Sequence, residues 1–258
     1  MLLEEAAALV AAGPPLVVFT GAGVSTESGI PDFRSATGLW ARHDPADFSY
    51  PTFMASREGR RRYWAVGREL YGHIQAARPN AAHLAIAELD RLGLLDCVIT
   101  QNVDNLHQRA GVAADRVLEL HGNATRVRCL ECESVVTRDQ VQLRLQAGEE
   151  VPDCLGCGGI LKPFTVLFGE AMPQEALAEA QARAGVARTC LVVGSSLTVF
   201  PAAYIPLRAR EAGARLVIVN LTETRLDREA AVVLRGPAAG LLAALVAEVR
   251  GRREGAPA

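Results

Sequence analysis

Short apolar runs rich in β-branched residues recur along the chain, each ending in a polar or glycine-rich turn. They cover residues 16–20, 97–100, 117–120, 190–193, 216–219 and 232–234. Runs that are apolar at every position, rather than at alternate ones, belong to strands covered on both faces, as in a parallel sheet. Helical periodicity separates them. Pro79-Asn80 leads into a helix reaching about Leu92, Pro173 opens one reaching about Ala187, and residues 202–212 and 238–249 also read as helices. Alternation of this kind predicts an α/β protein with a doubly wound parallel sheet. Two stretches interrupt it. Residues 35–78 are rich in arginine, aromatics and proline and show no strand pattern, and residues 126–163 hold four of the cysteines. Both read as insertions that together form a small second module. The expected division is residues 1–34, 79–125 and 164–258 for the main α/β domain, and 35–78 with 126–163 for the small helical module.

Length and composition support one large core with an insertion. The chain has 258 residues, half of them hydrophobic, and a formal net charge of −2. So small a charge argues against a nucleic-acid groove or an anionic membrane surface as partner. No apolar run reaches the length of a membrane span, and the apolar start carries Glu4 and Glu5 with no basic residue before them, unlike a signal peptide. The expected location is the cytoplasm. Lys162 is the only lysine; every other basic side chain, the histidines apart, is arginine.

The cysteines carry the sharpest local signal. Cys129-x-x-Cys132 and Cys154-x-x-Cys157 form two knuckles with 21 residues between them. That spacing can gather four thiolates into the tetrahedron that Zn²⁺ prefers, and four thiolates close the shell, so one structural zinc per chain is expected. Cys97 and Cys190 lie inside apolar runs and read as small buried hydrophobes.

The first strand runs into Gly21-Ala22-Gly23-Val24-Ser25, a glycine-rich turn of the kind that lets backbone amides approach a pyrophosphate. Its spacing departs from the dehydrogenase fingerprint, because Thr26 stands where the third glycine would be. The turn continues through Ile30, Asp32, Phe33 and Arg34, which are placed to cover a ligand. The second strand ends in Gln101, Asn102 and Asp104, and the third in Glu119-Leu120-His121-Gly122. Carboxyl ends of neighbouring parallel strands line one crevice, so His121 faces the ligand of the glycine turn and suits a general base near neutral pH. His43, His73 and His83 read as structural, and His107 as lying behind the crevice.

Taken together, GAGVSTESGIPDFRS, TQNVDNLHQRAG, ELHG, the paired knuckles, FGE, VVGSSLTVFPA and VIVNLTET resemble the sirtuin family, in the family's order, from about Pro15 to Gly236. The resemblance implies a Rossmann-like domain with a small zinc-binding module, NAD and an acyl-lysine protein or peptide entering the cleft between them. It implies that Gly21, Ala22, Gly23, Ile30, Asp32, Phe33 and Arg34 bind the cofactor, with Gln101, Asn102 and Asp104 around the nicotinamide and its ribose. Gly194, Ser195 and Ser196 then hold ribose and phosphate, and Asn220 and Leu221 the adenosine end. Val166, Phe168, Gly169 and Glu170 hold the substrate peptide, and His121 with Asn102 carries the catalysis. The implied reaction removes an acetyl or other neutral acyl group from lysine and releases nicotinamide and O-acyl-ADP-ribose. Protein mono-ADP-ribosyl transfer from the same NAD site is the alternative. The chain departs from the family pattern at Phe164, Leu167 and Ala230-Ala231.

Family members that remove acidic acyl groups carry a Tyr-x-x-Arg pair. Here Phe53, Val66, Ile74 and Leu207 follow the four tyrosines at that spacing, so the pair is absent. With Trp64 near the corresponding place, the sequence predicts an apolar acyl tunnel and poor activity on succinyl-lysine.

Overall fold

A computed structural model describes residues 1–33, 35 and 38–254. Arg34, assigned above to the cofactor loop, lies outside the described residues. The β-branched runs form six parallel strands: β1 (Leu16–Thr20), β2 (Leu95–Thr100), β3 (Val117–Glu119), β7 (Thr189–Val193), β8 (Arg215–Asn220) and β9 (Val232–Arg235). Their order in the sheet is β3-β2-β1-β7-β8-β9, the Rossmann arrangement, with its switch point between β1 and β7. β1 and β7 are buried at every position, as the absence of alternation requires.

Helices cover both faces of this sheet. On one side α1 (Leu2–Ala11), α4 (Ala81–Arg91) and α9 (Ala238–Glu254) bury Val10, Ile86, Leu89, Leu242 and Leu245 against Val18 and Val98. On the other, α7 (Gln174–Val186) and α8 (Tyr204–Glu211) bury Ala180, Ala184, Ile205 and Ala209 against Val17, Phe19 and Val192. A single turn, α5 (Leu106–Arg109), follows β2. Among the described residues no helix is long and apolar enough to cross a membrane.

The two insertions meet in space. Residues 35–78 contribute α2 (Tyr50–Ala55) and α3 (Arg57–Ala76). Ser56 caps α3 by accepting from the Gly59 amide at 3.0 Å. Residues 126–163 contribute β4 (Arg126–Cys129), β5 (Val135–Thr137), α6 (Arg138–Gln146) and β6 (Leu161–Pro163), whose strands form a separate antiparallel sheet ordered β5-β4-β6. Phe53, Tyr63 and Trp64 pack with Val127, Val141, Leu145 and Leu161 in one core. The knuckles close the far end of this module. The four sulfurs all lie within 4.8 Å of one another, with Cys129 and Cys157 at 3.5 Å and Cys132 and Cys154 at 3.7 Å. A zinc tetrahedron with bonds of about 2.3 Å has edges of about 3.8 Å, so the set fits this metal and leaves no open position on it.

The parallel strands end on a buried polar layer. The Thr20 hydroxyl donates to Thr100 Oγ1 at 2.8 Å, and its oxygen lies 2.9 Å from His107 Nε2. With the Thr20 proton committed to Thr100, the imidazole must donate through Nε2. Burial depresses the pKa of His107 to about 3 and that of neighbouring His83 to about 4, against the usual 6.5.

Two outcomes follow for stability. Cys154→Ala should release zinc and lower both solubility and melting temperature, because metal binding and folding of the small module are coupled; soluble, active wild-type protein free of zinc by elemental analysis would contradict this. Acid should also weaken the fold. Below about pH 6.5 the unfolded chain protonates both histidines while the native state does not, so stability falls with pH until the depressed native values are reached, by up to about 1.4 kcal/mol per pH unit for each histidine. Between pH 6.5 and 5, His107→Asn should remove about 2 kcal/mol of that loss. Urea midpoints across the range test this, and equal slopes for the two proteins would refute it.

Candidate functional site

Loops at the carboxyl ends of β1, β2, β3 and β7 border a cleft facing the small module. Within it lies a cavity of about 290 Å³, lined by Ala22, Ile30 and Phe33 from the first loop, Gln101, Asn102 and Asp104 from the second, and His121 from the third. Val166, Phe168, Gly169 and Glu170 line it as well, with Trp40, Tyr63, Trp64 and Tyr71 from the helical insertion. Residues far apart in the sequence thus share one wall.

His121 is fixed by a hydrogen bond to backbone. Its Nδ1 lies 3.0 Å from the Gln101 carbonyl oxygen. A carbonyl only accepts, so Nδ1 carries the proton and Nε2 keeps its lone pair. Burial lowers the imidazole pKa, against a smaller upward pull from that carbonyl, so the ring is neutral at pH 7 and able to take a proton. The next residue must be glycine: Gly122 has φ of +74°, and a β-carbon there would sit 1.9 Å from the Phe164 carbonyl oxygen. That approach lets the Val166 amide donate to the His121 carbonyl at 2.9 Å, which joins the histidine to the segment containing Phe168.

The Asn102 and Asp104 side chains converge on Ser25. The Ser25 hydroxyl donates to Asp104 Oδ2 at 2.7 Å and accepts from Asn102 Nδ2 at 3.1 Å. Its oxygen is also 3.3 Å from His83 Nε2. The Asn80 amide donates to His83 Nδ1 at 3.3 Å, so His83 is the Nε2–H tautomer and donates to Ser25. Asp104 further accepts from the Leu106 amide at 2.9 Å. Ser25 lines the cavity with them, and His83, which reads as structural in the sequence, is fully buried behind Ser25. Its capping role on α4 is real, and the same ring reaches across to the glycine turn.

The remaining predicted residues of the described chain are not among those lining this cavity. Gly194, Ser195 and Ser196 follow β7, and Ser195 Oγ accepts from Gln101 Nε2 at 2.9 Å. Asn220 ends β8, donating to the Thr222 carbonyl at 2.8 Å, and exposed Leu221 follows it. The Gly21 and Gly23 amides are engaged by the carbonyls of Val193 and Gly194 at 3.1 and 2.9 Å, so these glycines serve first to bring two loops together. Thr26 begins a 3-10 turn rather than a long helix.

The segment after β6 is extended but only partly paired. Phe168 exchanges backbone hydrogen bonds with Phe48 and Tyr50 at 2.9 Å each, and its side chain is 47% exposed. Glu170 turns inward. It accepts from the Leu167 amide at 2.9 Å and pairs with Lys162 at 2.9 Å. Lys162, the chain's one lysine, is 1% exposed and also donates to the Thr165 carbonyl at 2.6 Å. Leu167 is buried in the core of the small module, and Arg126 stacks on Phe164 with 4.8 Å to the ring centroid. An aromatic series, Phe33–Trp40–Phe48–Tyr63–Trp64, has successive centroids 5.2 to 5.8 Å apart along the cavity. These rings make much of that wall apolar, and Arg138 lies beside Trp64 in it.

The same architecture occurs in known proteins. The chain is 46% identical over 248 residues to an NAD-dependent protein deacetylase of Caldivirga maquilingensis, covering 96% of this chain and 94% of that one. It is 46% identical to NAD-dependent protein deacetylase 2 of Streptomyces coelicolor, over 91% of this chain and 98% of the other. A solved Sir2 enzyme superposes with a TM-score of 0.89 at 42% identity, over 98% of this chain and 99% of its own. A Sir2–p53 peptide–NAD+ complex superposes with 0.86 at 37% identity, over 96% and 98%. The Sir2 family profile matches residues 21–201. With the sheet order, the cleft and the knuckles all in accord with that match, the chain belongs to the Sir2, or sirtuin, family.

Proposed function

We propose that the protein removes acetyl and related acyl groups from lysine side chains of other proteins, consuming NAD. The observation that carries this reading is the forced tautomer of His121. Its free Nε2 shares one cavity with Asn102, Asp104 and the half-paired segment around Phe168. NAD supplies a ribose carbon from which nicotinamide departs as the acyl oxygen of lysine takes its place. The chain's part is positional and acid–base. Asn102 and Asp104, held by Ser25, present polar atoms to the nicotinamide amide. Gln101 and Ser195 border the ribose, Gly194 and Ser196 the phosphates, and Asn220 and Leu221 the adenosine. Residues 22–33 cover the ligand and keep water from the reacting carbon. His121 Nε2 then takes the proton of a ribose hydroxyl. Val166, Phe168 and Gly169 border the path of the substrate peptide along the cavity, while Glu170 braces that segment through Lys162.

The domain boundaries given above belong to the same proposal, with residues 35–78 and 126–163 forming one wall of the peptide channel. So does a cytoplasmic location, supported by a thiolate metal site and free Cys97 and Cys190, which suit a reducing compartment.

His121→Ala should reduce acyl removal by at least about a hundredfold, the scale of general-base loss, with zinc content and melting profile retained. In the unmodified enzyme the acid limb of kcat should have its midpoint below 6.5, as burial of His121 requires. Near-normal turnover by the variant would remove His121 from the mechanism. Free nicotinamide should appear only when an acyl-lysine peptide is present, with no absorbance from reduced cofactor. Mass spectrometry that found ADP-ribose on protein and the acyl peptide untouched would favour the transferase alternative.

A further inference from the structure

A guanidinium with no carboxylate partner stands in the cavity wall opposite the catalytic loops. Arg138 is the first residue of α6, held there by the Thr137 cap and by its own amide, which donates to the Thr125 carbonyl at 2.8 Å. The residue is 2% exposed. Its Nη2 donates to the Gly67 carbonyl at 3.1 Å, and its charge lies 5.1 Å from the Trp64 ring centroid and 4.6 Å from that of Tyr71. All four residues line the cavity that also contains His121 and Phe168. Among the described residues Arg138 makes no ion pair within 4 Å, and its buried Nη1 has no hydrogen-bond partner. Asp139, next in sequence, accepts instead from the Tyr71 hydroxyl at 2.8 Å and from Gln75 at 3.0 Å.

A purely structural role does not account for this charge. The α3–α6 contact is already tied by Tyr71 to Asp139 and by Gln142 Nε2 to the Arg68 carbonyl at 2.9 Å, and an apolar side chain would fill the space beside Trp64. Burial lowers the guanidinium pKa to about 10, which leaves it charged at neutral pH. A buried cation costs free energy unless an anion pairs with it, and two aromatic faces together with the neighbouring Asp139 charge, which makes no direct contact with it, compensate only in part. A planar guanidinium with an unused N–H is suited to a carboxylate.

We infer that Arg138 receives the terminal carboxylate of a short dicarboxylic acyl group, of the succinyl or glutaryl class, carried on the substrate lysine. The inference rests on the deacylase reading and widens its substrate range. It also departs from the apolar tunnel expected of the sequence. The missing Tyr-x-x-Arg pair would have put a guanidinium on the helical insertion, whereas Arg138 arrives from the zinc-binding insertion.

The test compares kcat/KM on one peptide sequence bearing acetyl-, succinyl- or methyl-succinyl-lysine, the last a neutral ester of nearly the same shape. The unmodified enzyme should prefer succinyl to its ester at least tenfold. Arg138→Leu should lower the succinyl-to-acetyl ratio at least tenfold, mainly through KM, and Arg138→Lys should recover part of it. Preference for the ester by the unmodified enzyme, or an unchanged ratio in Arg138→Leu, would overturn the inference. The ester comparison needs no variant, so it decides even where Arg138→Leu is insoluble. Absence of activity on every peptide, acetyl included, would overturn the deacylase reading and this inference together, whereas acetyl removal with rejection of succinyl defeats this inference alone.

Discussion

Backbone meets backbone where β1 and β7 part. A β-carbon on Gly194 would lie 2.3 Å from the Val24 amide nitrogen, and one on Gly23 would lie 2.8 Å from the Gly194 α-carbon. Only glycine on both sides permits that contact, and it sets the width of the crevice at the switch point of the sheet. Ala22 and Ser25 on one loop, and Ser195 on the other, take their places relative to Gln101 and Asn102 from it. Any side chain here would separate the loops and, with them, the groups that meet in the cavity.

Around this contact the site is organised by proton ownership. Thr20 donates to Thr100, which leaves His107 to donate to Thr20; Ser25 donates to Asp104, which leaves His83 to donate to Ser25. His121 donates to the Gln101 carbonyl and so has a free lone pair. Each histidine is neutral because burial disfavours its charged form, and each tautomer is dictated by a neighbour that can act in only one sense. Two of these rings are structural supports held neutral, and the third lines the cavity with its Nε2 lone pair unused.

The small module reaches this site through short covalent paths. Cys129 ends β4, paired in register with Leu161 of β6, and Lys162 follows. Lys162 then holds Glu170 and the Thr165 carbonyl, which fixes the segment from Thr165 to Phe168. Arg138 begins the helix that follows β5 in the same sheet. A metal with no open coordination position can therefore matter to substrate binding by holding these two cations in place.

The sequence by itself determined what depends on local periodicity and local chemistry. Short apolar runs with no alternation, bounded by turn residues, read as strands of a covered sheet, and all six lie in the parallel sheet within a residue or two at each end, the two edge strands β3 and β9 only partly buried. Two knuckles of matched spacing gave the thiolate cluster, and ordered loop motifs at strand ends placed Gln101, Asn102, Asp104 and His121 together. Some elements were not legible. Residues 35–78 read as helical, but the sequence does not place the bounds of α3, because its apolar residues are few and pack against another insertion rather than against the sheet. Tertiary structure alone decided the rest. His83 looked like a helix residue because its partner, Ser25, is 58 positions away. Glu170 matched a substrate motif, yet its carboxylate turns to a buried lysine. Nothing in the sequence singles out Arg138, whose burial comes from α3 packing over it. A sequence pattern reports which side of its own element a residue occupies, but the charge, tautomer and availability of a side chain are set by atoms that approach from other elements.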